Sequence, residues 1–434
     1  MHSNRPATQQ TADDCAKCGA CTAVCPVYQV TGRESQTARG RLHLLGRLTR
    51  PSSAAYSAII SSCLLCGACR DACPRGIDTL AAVIHARQQL PPLAHHQFLE
   101  KLLARKTFAS PRLLKSLSSL RNSLLKNLPK ASGLWLKLAF LPEDYAQQMI
   151  PPDFSTAENK PGPQAISFFS GCLARYLSPV IGTATAFLTR EATGSSLLVP
   201  EEQTCCGLAS FGSGNREEAR KLARKNIAAF AGHNLPILTS CASCYSHLRS
   251  YPELLADDPA WADRAKHFAA RLQEFSQFFA GSGLFSPPAQ TAGSAQDLPR
   301  VFYHDPCHLR FGPEKITAAP RTLIRDLYGS LPVELARGPH CCGQGGLFRL
   351  AHPDLADQIF SSALTELMEL SVAHVVTTCS GCLLQWQQGI GKGGHDCQCS
   401  HLAVFLARII RQGRESPAAM SRDNRGNSAI PQTR

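Results

Sequence analysis

No run in this 434-residue sequence approaches the roughly 20 consecutive apolar residues that a membrane-spanning helix needs. The opening stretch, MHSNRPATQQTADD, lacks the apolar core of a secretory signal. Together these absences predict a cytoplasmic chain. The cysteine density, 20 in 434 residues, is too low for a small secreted scaffold stapled by disulfides. The cysteines therefore suggest metal in a reducing compartment. Also missing are a G-x-G-x-x-G fingerprint within a βαβ unit and a Walker lysine with its Ser/Thr, so Gly212-x-Gly214 and Gln344-Gly345-Gly346 do not read as phosphate loops. No flavin or nicotinamide site is visible.

Acidic residues are fewer than basic ones, 32 against 45, which leaves a formal charge of +13. Nine of the basic residues fall between Lys101 and Pro142, a stretch without Asp or Glu. Within it Leu113, Leu117, Leu120, Leu124 and Leu128 recur at the spacing of one helix face, with Arg112, Lys115 and Lys126 opposite. A basic amphipathic helix of this kind suits an anionic lipid surface, so peripheral contact with the inner face of a membrane through 101–142 is one expectation. Arg121 inside the apolar face and Pro129 at its end suit packing on the body or a partner subunit. No nucleic-acid reader motif accompanies the charge, and no nucleic acid is expected as partner.

A composition of 44% hydrophobic residues permits substantial cores, and the length suggests roughly two to four domains. The cysteines fall into three groups, at 15–73, 172–244 and 307–382, with Cys397 and Cys399 outside them and read as unpaired thiols.

The first group holds Cys15-x2-Cys18-x2-Cys21-x3-Cys25-Pro26 and Cys63-x2-Cys66-x2-Cys69-x3-Cys73-Pro74. Both match the run C-x2-C-x2-C-x3-C-P, in which three close thiolates wrap one corner of a 4Fe-4S cubane and the fourth ligates the other cluster. This assigns Cys15, Cys18, Cys21 and Cys73 to one cluster, and Cys63, Cys66, Cys69 and Cys25 to a second. Gly19 and Gly67 let backbone N–H groups approach the cluster sulfurs, and Pro26 and Pro74 fix φ at the end of each run. Structural zinc also uses Cys-x2-Cys pairs, but it closes at four ligands and does not call for interleaved runs. Two clusters ligated across each other form a relay for single electrons.

The other two groups repeat one another. Cys172, Cys205-Cys206-Gly207 and Cys241-x2-Cys244 return as Cys307, Cys341-Cys342-Gly343 and Cys379-x2-Cys382, at offsets of 135, 136 and 138 residues. An apolar run precedes each isolated cysteine, Ala165 to Phe169 and Arg300 to Tyr303. After each Cys-Cys-Gly comes a Gly-rich turn and a helical stretch, Arg216 to Ala231 and Pro353 to Leu370. A second apolar run, Pro236 to Thr239 and Ala373 to Thr377, then leads into Cys-x2-Cys. Strand, loop, helix, strand predicts two α/β half-domains with cysteine loops converging at strand ends.

Five thiolates per repeat exceed what one tetrahedral metal accepts. The residues leave three readings open: a polynuclear iron–sulfur centre, a thiol–disulfide site, or zinc using four of the five. His304, His308 and His340 flank these cysteines, and as loop histidines beside thiolates none is expected to be a ligand.

The expected fold class is α+β: an N-terminal α-helical ferredoxin-like domain with two 4Fe-4S clusters, a helical connector, then two repeated α/β cysteine-rich (CCG) half-domains. The boundaries fall at 1–88 for the dicluster domain, 89–163 for the basic connector and its Pro-rich linker, 164–292 and 298–412 for the repeats, and 413–434 for a polar tail expected to be disordered.

The five-cysteine spacing resembles the CCG domain of heterodisulfide reductase catalytic subunits, over Ile166 to Cys382. That resemblance implies a non-cubane 4Fe-4S cluster on Cys172, Cys205, Cys206, Cys241 and Cys244, and another on Cys307, Cys341, Cys342, Cys379 and Cys382. With the ferredoxin motifs in front, the whole chain resembles the iron–sulfur subunits of glycolate oxidase, D-lactate dehydrogenase and anaerobic glycerol-3-phosphate dehydrogenase. Cys18-Gly-Ala-Cys21-Thr-Ala-Val-Cys25-Pro26-Val-Tyr28 and Arg39-Gly40-Arg41-Leu42 look most like the glycolate oxidase branch. One departure is that members of that branch often lack a cysteine in the first repeat, whereas Cys241 and Cys244 are both present here.

The resemblance implies an electron-transfer subunit of a flavin-dependent glycolate or D-lactate dehydrogenase, passing electrons from a partner's FAD toward a quinone or other carrier. The flavin and the hydroxy-acid site would lie on that partner. The alternatives are a heterodisulfide-reductase-like chain, whose CCG cluster cleaves a disulfide, and the iron–sulfur subunit of an anaerobic glycerol-3-phosphate dehydrogenase.

Overall fold

A computed structural model describes residues 12–47, 53–90, 166–282 and 298–415, apart from 337 and 339. The Leu113–Leu128 stripe, the rest of the basic connector beyond residue 90, the Pro-rich linker and the tail after 415 lie outside the described residues. None of the described helices is long and apolar enough to cross a membrane.

The N-terminal region is helical, with helices Ala20–Ala23, Pro26–Thr31, Ala38–Arg47, Ala54–Ser61, Ala68–Asp71 and Thr79–Gln89. Its two cysteine runs adopt the same backbone. Lys17 and Leu65 both have φ 56, and Gly19 and Gly67 follow at φ 85 and 89. Each glycine caps a four-residue helix, Ala20–Ala23 or Ala68–Asp71, that carries the third cysteine of its run. The left-handed conformation turns the chain sharply enough to bring three thiols to one side, and glycine adopts it without a Cβ penalty.

Each cysteine-rich repeat is built on a parallel sheet. The first has the order β2-β1-β3-β4, from β1 (Ile166–Phe169), β2 (Leu197–Leu198), β3 (Ile237–Thr239) and β4 (Leu272–Glu274). The second has β5 (Val301–Tyr303), β6 (His374–Thr377) and β7 (Gln398–His401) in that spatial order, and a one-residue bridge from Phe302 to Val333 stands where the first repeat has β2. The central strands are buried along their length because helices cover both faces, as the continuous apolar runs in the sequence require. The linking helices are Arg216–Ala229 and Pro353–Glu369, within two residues of the stretches read from periodicity. Cys399 lies on β7 opposite Val375 and is buried, which makes it a core thiol.

The two repeats share one continuous core, joined by residues such as Phe275, Trp386 and Leu406. The C-terminal helix Leu402–Glu415 leaves the second sheet and packs on Val180–Thr193 of the first repeat. His401 fastens the same seam, its Nε2–H donating to the Ser240 carbonyl at 2.8 Å while its Nδ1 accepts from Ala403 N–H.

The dicluster region sits against both repeats. Cys25, Val27 and Leu64 share a small core with Phe348, Ala356 and Ile359 of the second repeat. Ser61 Oγ meets His352 Nε2 at 3.0 Å, Arg70 donates to the Phe311 carbonyl at 3.1 Å, and Lys315 pairs with Asp71 at 2.6 Å. On the first-repeat side the Arg87 guanidinium donates to the carbonyls of Ile60, Ser61, Cys63 and Gly212. The glycine-rich turns are docking surfaces. A Cβ at Gly214 would lie 2.7 Å from the Arg87 carbonyl carbon, and one at Gly345 would lie 2.6 Å from Leu64 Cδ2.

Candidate iron–sulfur centres

Two cavities lie in the N-terminal region. One is lined by Cys15, Cys18, Cys21 and Cys73, with Cys69 at its edge. The other is lined by Cys25, Cys63, Cys66 and Cys69. The fourth cysteine of each run thus lies at the cavity formed by the other run, and Cys69 lies between the two.

The donor set suits an anionic iron–sulfur core. No Asp or Glu is among the described residues lining either cavity, whereas Lys17, Arg39 and Arg75 line the first and Arg41 the second. Burial pushes the Cys66 thiol up to about 12 and raises Cys69 as well, with neighbouring thiols adding to both. Desolvated and crowded by their neighbours, Cys66 and Cys69 hold thiolates only when a positive ion compensates them.

Sequence reasoning overlooked the arginines that shape these cavities. Arg39 donates to the Lys17 carbonyl at 2.9 Å, fixing the loop between Cys15 and Cys18, and is itself held by Glu34. Arg41, 2% exposed, reaches the Ile59 carbonyl and Ser62 Oγ and fixes the chain entering Cys63. Arg87 braces the same turn at the Cys63 carbonyl. The available signal was Arg39-Gly40-Arg41, a pair of arginines between the two runs.

In the first repeat Cys172 starts a short helix after β1, Cys205 and Cys206 precede the Gly207 turn, and Cys241 and Cys244 follow β3. The structure brings all five together. Cys172 Sγ lies 3.6 Å from Cys205 Sγ, and side-chain contacts continue from Cys205 to Cys206, from Cys206 to Cys244 and from Cys244 to Cys241. A hydrogen bond from Cys172 and another from Cys206 hold the Cys205 thiol well below its ordinary range, helped by the Gly207 N–H.

The second repeat reproduces the pattern with Cys341, Cys342, Cys382 and Cys379 in contact and Cys307 close by. Cys342 is held well below the ordinary thiol range by Cys341 first and then by Cys382. The Gly343 N–H, at φ 78, donates to Cys341 Sγ at 3.4 Å. All five cysteines of each repeat thus converge, and Cys397 and Cys399 stand apart on and beside β7.

The flanking histidines differ from one another. His340 pairs with Glu366 at 2.9 Å. His308 Nδ1 lies 3.1 Å from Ser243 Oγ, which in turn lies 3.2 Å from Cys379 Sγ. His304 is not a solvated loop residue, being only 2% exposed at the end of β5.

The dicluster region and the two five-cysteine sites are neighbours. Cys66 acts electrostatically on both Cys307 and Cys341 and packs with Cys341 on one small core. Cys379 of the second repeat touches Cys241 of the first. Sulfur donors therefore run from the dicluster region into the second repeat and from there into the first.

A helical domain with two interleaved four-cysteine cavities, joined to two parallel α/β repeats that each gather five cysteines, defines an iron–sulfur protein. Comparison with known proteins agrees with that class. Residues 11–77 match the 4Fe-4S dicluster domain, and residues 166–249 and 301–387 match the cysteine-rich domain. The chain is 29% identical over 426 residues to the probable glycolate oxidase iron–sulfur subunit of Bacillus subtilis, covering 92% of this chain and 93% of that one. It is 26% identical over 383 residues to the glycolate oxidase iron–sulfur subunit of Escherichia coli, covering 85% and 88%. Against lactate utilization protein A of an Exiguobacterium species it is 31% identical over 250 residues, which are 57% of this chain and 98% of that protein. The chain belongs to the family of glycolate oxidase iron–sulfur subunits and lactate utilization proteins, and it joins a dicluster domain to two cysteine-rich domains.

Proposed function

We propose that this chain is the electron-transfer subunit of a flavin-dependent 2-hydroxy acid dehydrogenase acting on glycolate or D-lactate. It takes electrons one at a time from FAD on a partner subunit and delivers them toward a quinone or another carrier. Cys15, Cys18, Cys21 and Cys73 hold one 4Fe-4S cubane, and Cys63, Cys66, Cys69 and Cys25 hold the other. The two five-cysteine sets hold further 4Fe-4S centres. Each cluster supplies reversible one-electron chemistry; the protein's part is to space the centres, exclude water and set their potentials.

The observation that carries this reading is the adjacency of Cys66 to Cys307 and Cys341, and of Cys379 to Cys241. A series of neighbouring sulfur donors from the dicluster region through the second repeat into the first suits a wire, and the names of the relatives, glycolate oxidase and lactate utilization, support the substrate class. The test is anaerobic purification of the chain alone and with its flavoprotein partner. The chain alone is expected to contain iron and acid-labile sulfide, to lack flavin, and to be reduced by glycolate or D-lactate only when the partner is added. Substrate-reducible FAD within this chain alone would sink the proposal.

A second reading, disulfide cleavage at the repeats, draws on a cleft at the junction of the dicluster region with both repeats, lined by Cys63, His308, Gly345 and Leu208 among others. Disulfide reduction by the isolated chain, lost in Cys342→Ser, would favour it over the relay.

A further inference from the structure

The two cysteine-rich repeats superpose in pattern but not in chemistry at one position. Three residues before the isolated cysteine, where the central strand ends, the first repeat has Phe169 and the second has His304. Phe169 is fully buried, its ring lies 6.1 Å from that of Phe230, and a Cβ on Gly171 would touch both it and Cys244 Sγ. It forms an apolar wall beside the first site.

His304 occupies the same place beside the second site. A ring nitrogen of His304, Cys342 Sγ and Cys382 Sγ all lie within 4.8 Å of one another, and all three residues are buried. Cys342 and Cys382 are the counterparts of Cys206 and Cys244, so the imidazole faces the same part of its site as the Phe169 ring does.

The ring is held there by its surroundings. The His304 backbone N–H donates to the Val376 carbonyl at 2.8 Å, and its backbone carbonyl accepts from Thr377 Oγ1 at 3.1 Å. The imidazole stands edge-on to Trp386, itself fully buried, at 5.5 Å between ring centres. A buried ring nitrogen without a partner is costly. Among the described residues the partner this nitrogen has is the Cys342 sulfur.

We propose that His304 gives a ring nitrogen to the metal centre of the second repeat, so that the chain carries two unequal centres, one bound by thiolates alone and one by thiolates and an imidazole. The inference rests on the reading that both repeats hold iron–sulfur centres. Imidazole and thiolate are both accepted by iron. Taking the place of one of the five thiolates, a neutral imidazole brings less negative charge to the centre, which favours the reduced form and raises the potential. The second centre, which lies between the dicluster region and the first repeat, would then be the higher-potential member of the pair.

The test uses the full chain purified without oxygen, with iron and sulfide measured, from cells grown with natural and with ¹⁵N-labelled histidine. Pulsed EPR of the wild type is expected to show a nitrogen coupling from bound imidazole that changes with the isotope. The coupling disappears in His304→Phe, which installs the residue the first repeat already carries, and in His304→Gln. A potentiometric titration of His304→Phe shows one midpoint moved to lower potential while those of the dicluster region stay in place. Iron well above about eight per chain with no histidine coupling, or with every midpoint unchanged in His304→Phe, overturns the inference and leaves the relay standing. About eight irons per chain overturns the reading of the repeats, and the inference falls with it.

Discussion

Cys241 and Cys379 occupy the same position in the two repeats, each the first cysteine of its Cys-x2-Cys pair, and their side chains meet across the seam. The contact is registered by the backbone, where Ala242 N–H donates to the Thr378 carbonyl at 2.9 Å. Cys379 is held well below the ordinary thiol range by a hydrogen bond from Cys241, then by Cys382 and Ser243. The two sites are thus electrostatically continuous, and a change of charge at one is felt at the other.

Cys379→Ser is therefore expected to act on both repeats. Iron is lost from the second site, and the centre of the first shifts in potential because an anionic neighbour has gone. The dicluster clusters, which meet the second repeat through Cys66, keep their spectra. Iron analysis with a potentiometric EPR titration checks this, and an unaltered first-repeat signal would show that the seam does not couple the sites.

Docking of the dicluster region on the first repeat depends on Arg87 and Gly214. Burial lowers Arg87 to about 10, so it stays cationic at neutral pH and keeps its fork of donors on four carbonyls. Arg87→Ala leaves those carbonyls without their donor and is expected to cost about 3 kcal/mol or more. Arg87→Lys restores the charge but not the fork, and recovers only part of that loss. Gly214→Ala meets both a left-handed φ of 85 and the Arg87 backbone, and about 1–3 kcal/mol is expected. Thermal unfolding of the loaded protein, with the rate of cluster loss to a chelator, reads both effects.

Much of this architecture was legible beforehand because cysteine spacing and strand periodicity are local signals. The central strands β1, β3, β5 and β6 are short apolar runs ending at a cysteine, and the helices Arg216–Ala229 and Pro353–Glu369 carry a 3.6-residue period. Strands β2, β4 and β7 escaped notice because they are two to four residues long and lack an alternating pattern. The seam itself is non-local. Nothing near Cys241 in sequence announces Cys379, and nothing near Gly214 announces Arg87. His304 was read as a loop residue because it follows a three-residue strand, whereas its burial is set by Trp386 from a distant helix.

Ion pairs in this fold should divide sharply by burial. Arg321 grips Asp305 with two bonds, Nη1 to Oδ1 at 2.9 Å and Nη2 to Oδ2 at 2.7 Å, and the Asp305 side chain is 2% exposed. Arg321→Ala leaves a buried carboxylate with Arg310, at 3.6 Å, as its remaining cation among the described residues, and a loss of about 3 kcal/mol is expected. Lys315 and Asp71 approach to 2.6 Å but are 65% and 34% exposed, so Lys315→Ala should cost less than about 1 kcal/mol. Chemical denaturation of the two variants side by side tests the contrast, and equal losses would contradict it.

Glu274 gives the fold a dependence on pH that does not involve the metal sites. Its Oε2 accepts from the N–H groups of Ser276 and Gln277 at the start of the helix Phe275–Ala280, while Oε1 has no partner among the described residues. Burial raises its pKa from 4.5 to about 7, against the lowering effect of those hydrogen bonds. A carboxyl raised on folding binds its proton more tightly in the folded chain. The stability it contributes is complete below about 4.5 and is lost as the pH rises through about 7, a change on the order of 3 kcal/mol. Glu274→Gln retains a capping oxygen and carries no charge at any pH. The variant is therefore expected to unfold at a higher temperature than the wild type at pH 8, with the advantage shrinking as the pH is lowered toward 5. Melting curves across that range decide the matter, since an advantage that grows on acidification would mean that Glu274 is held ionised in the folded chain.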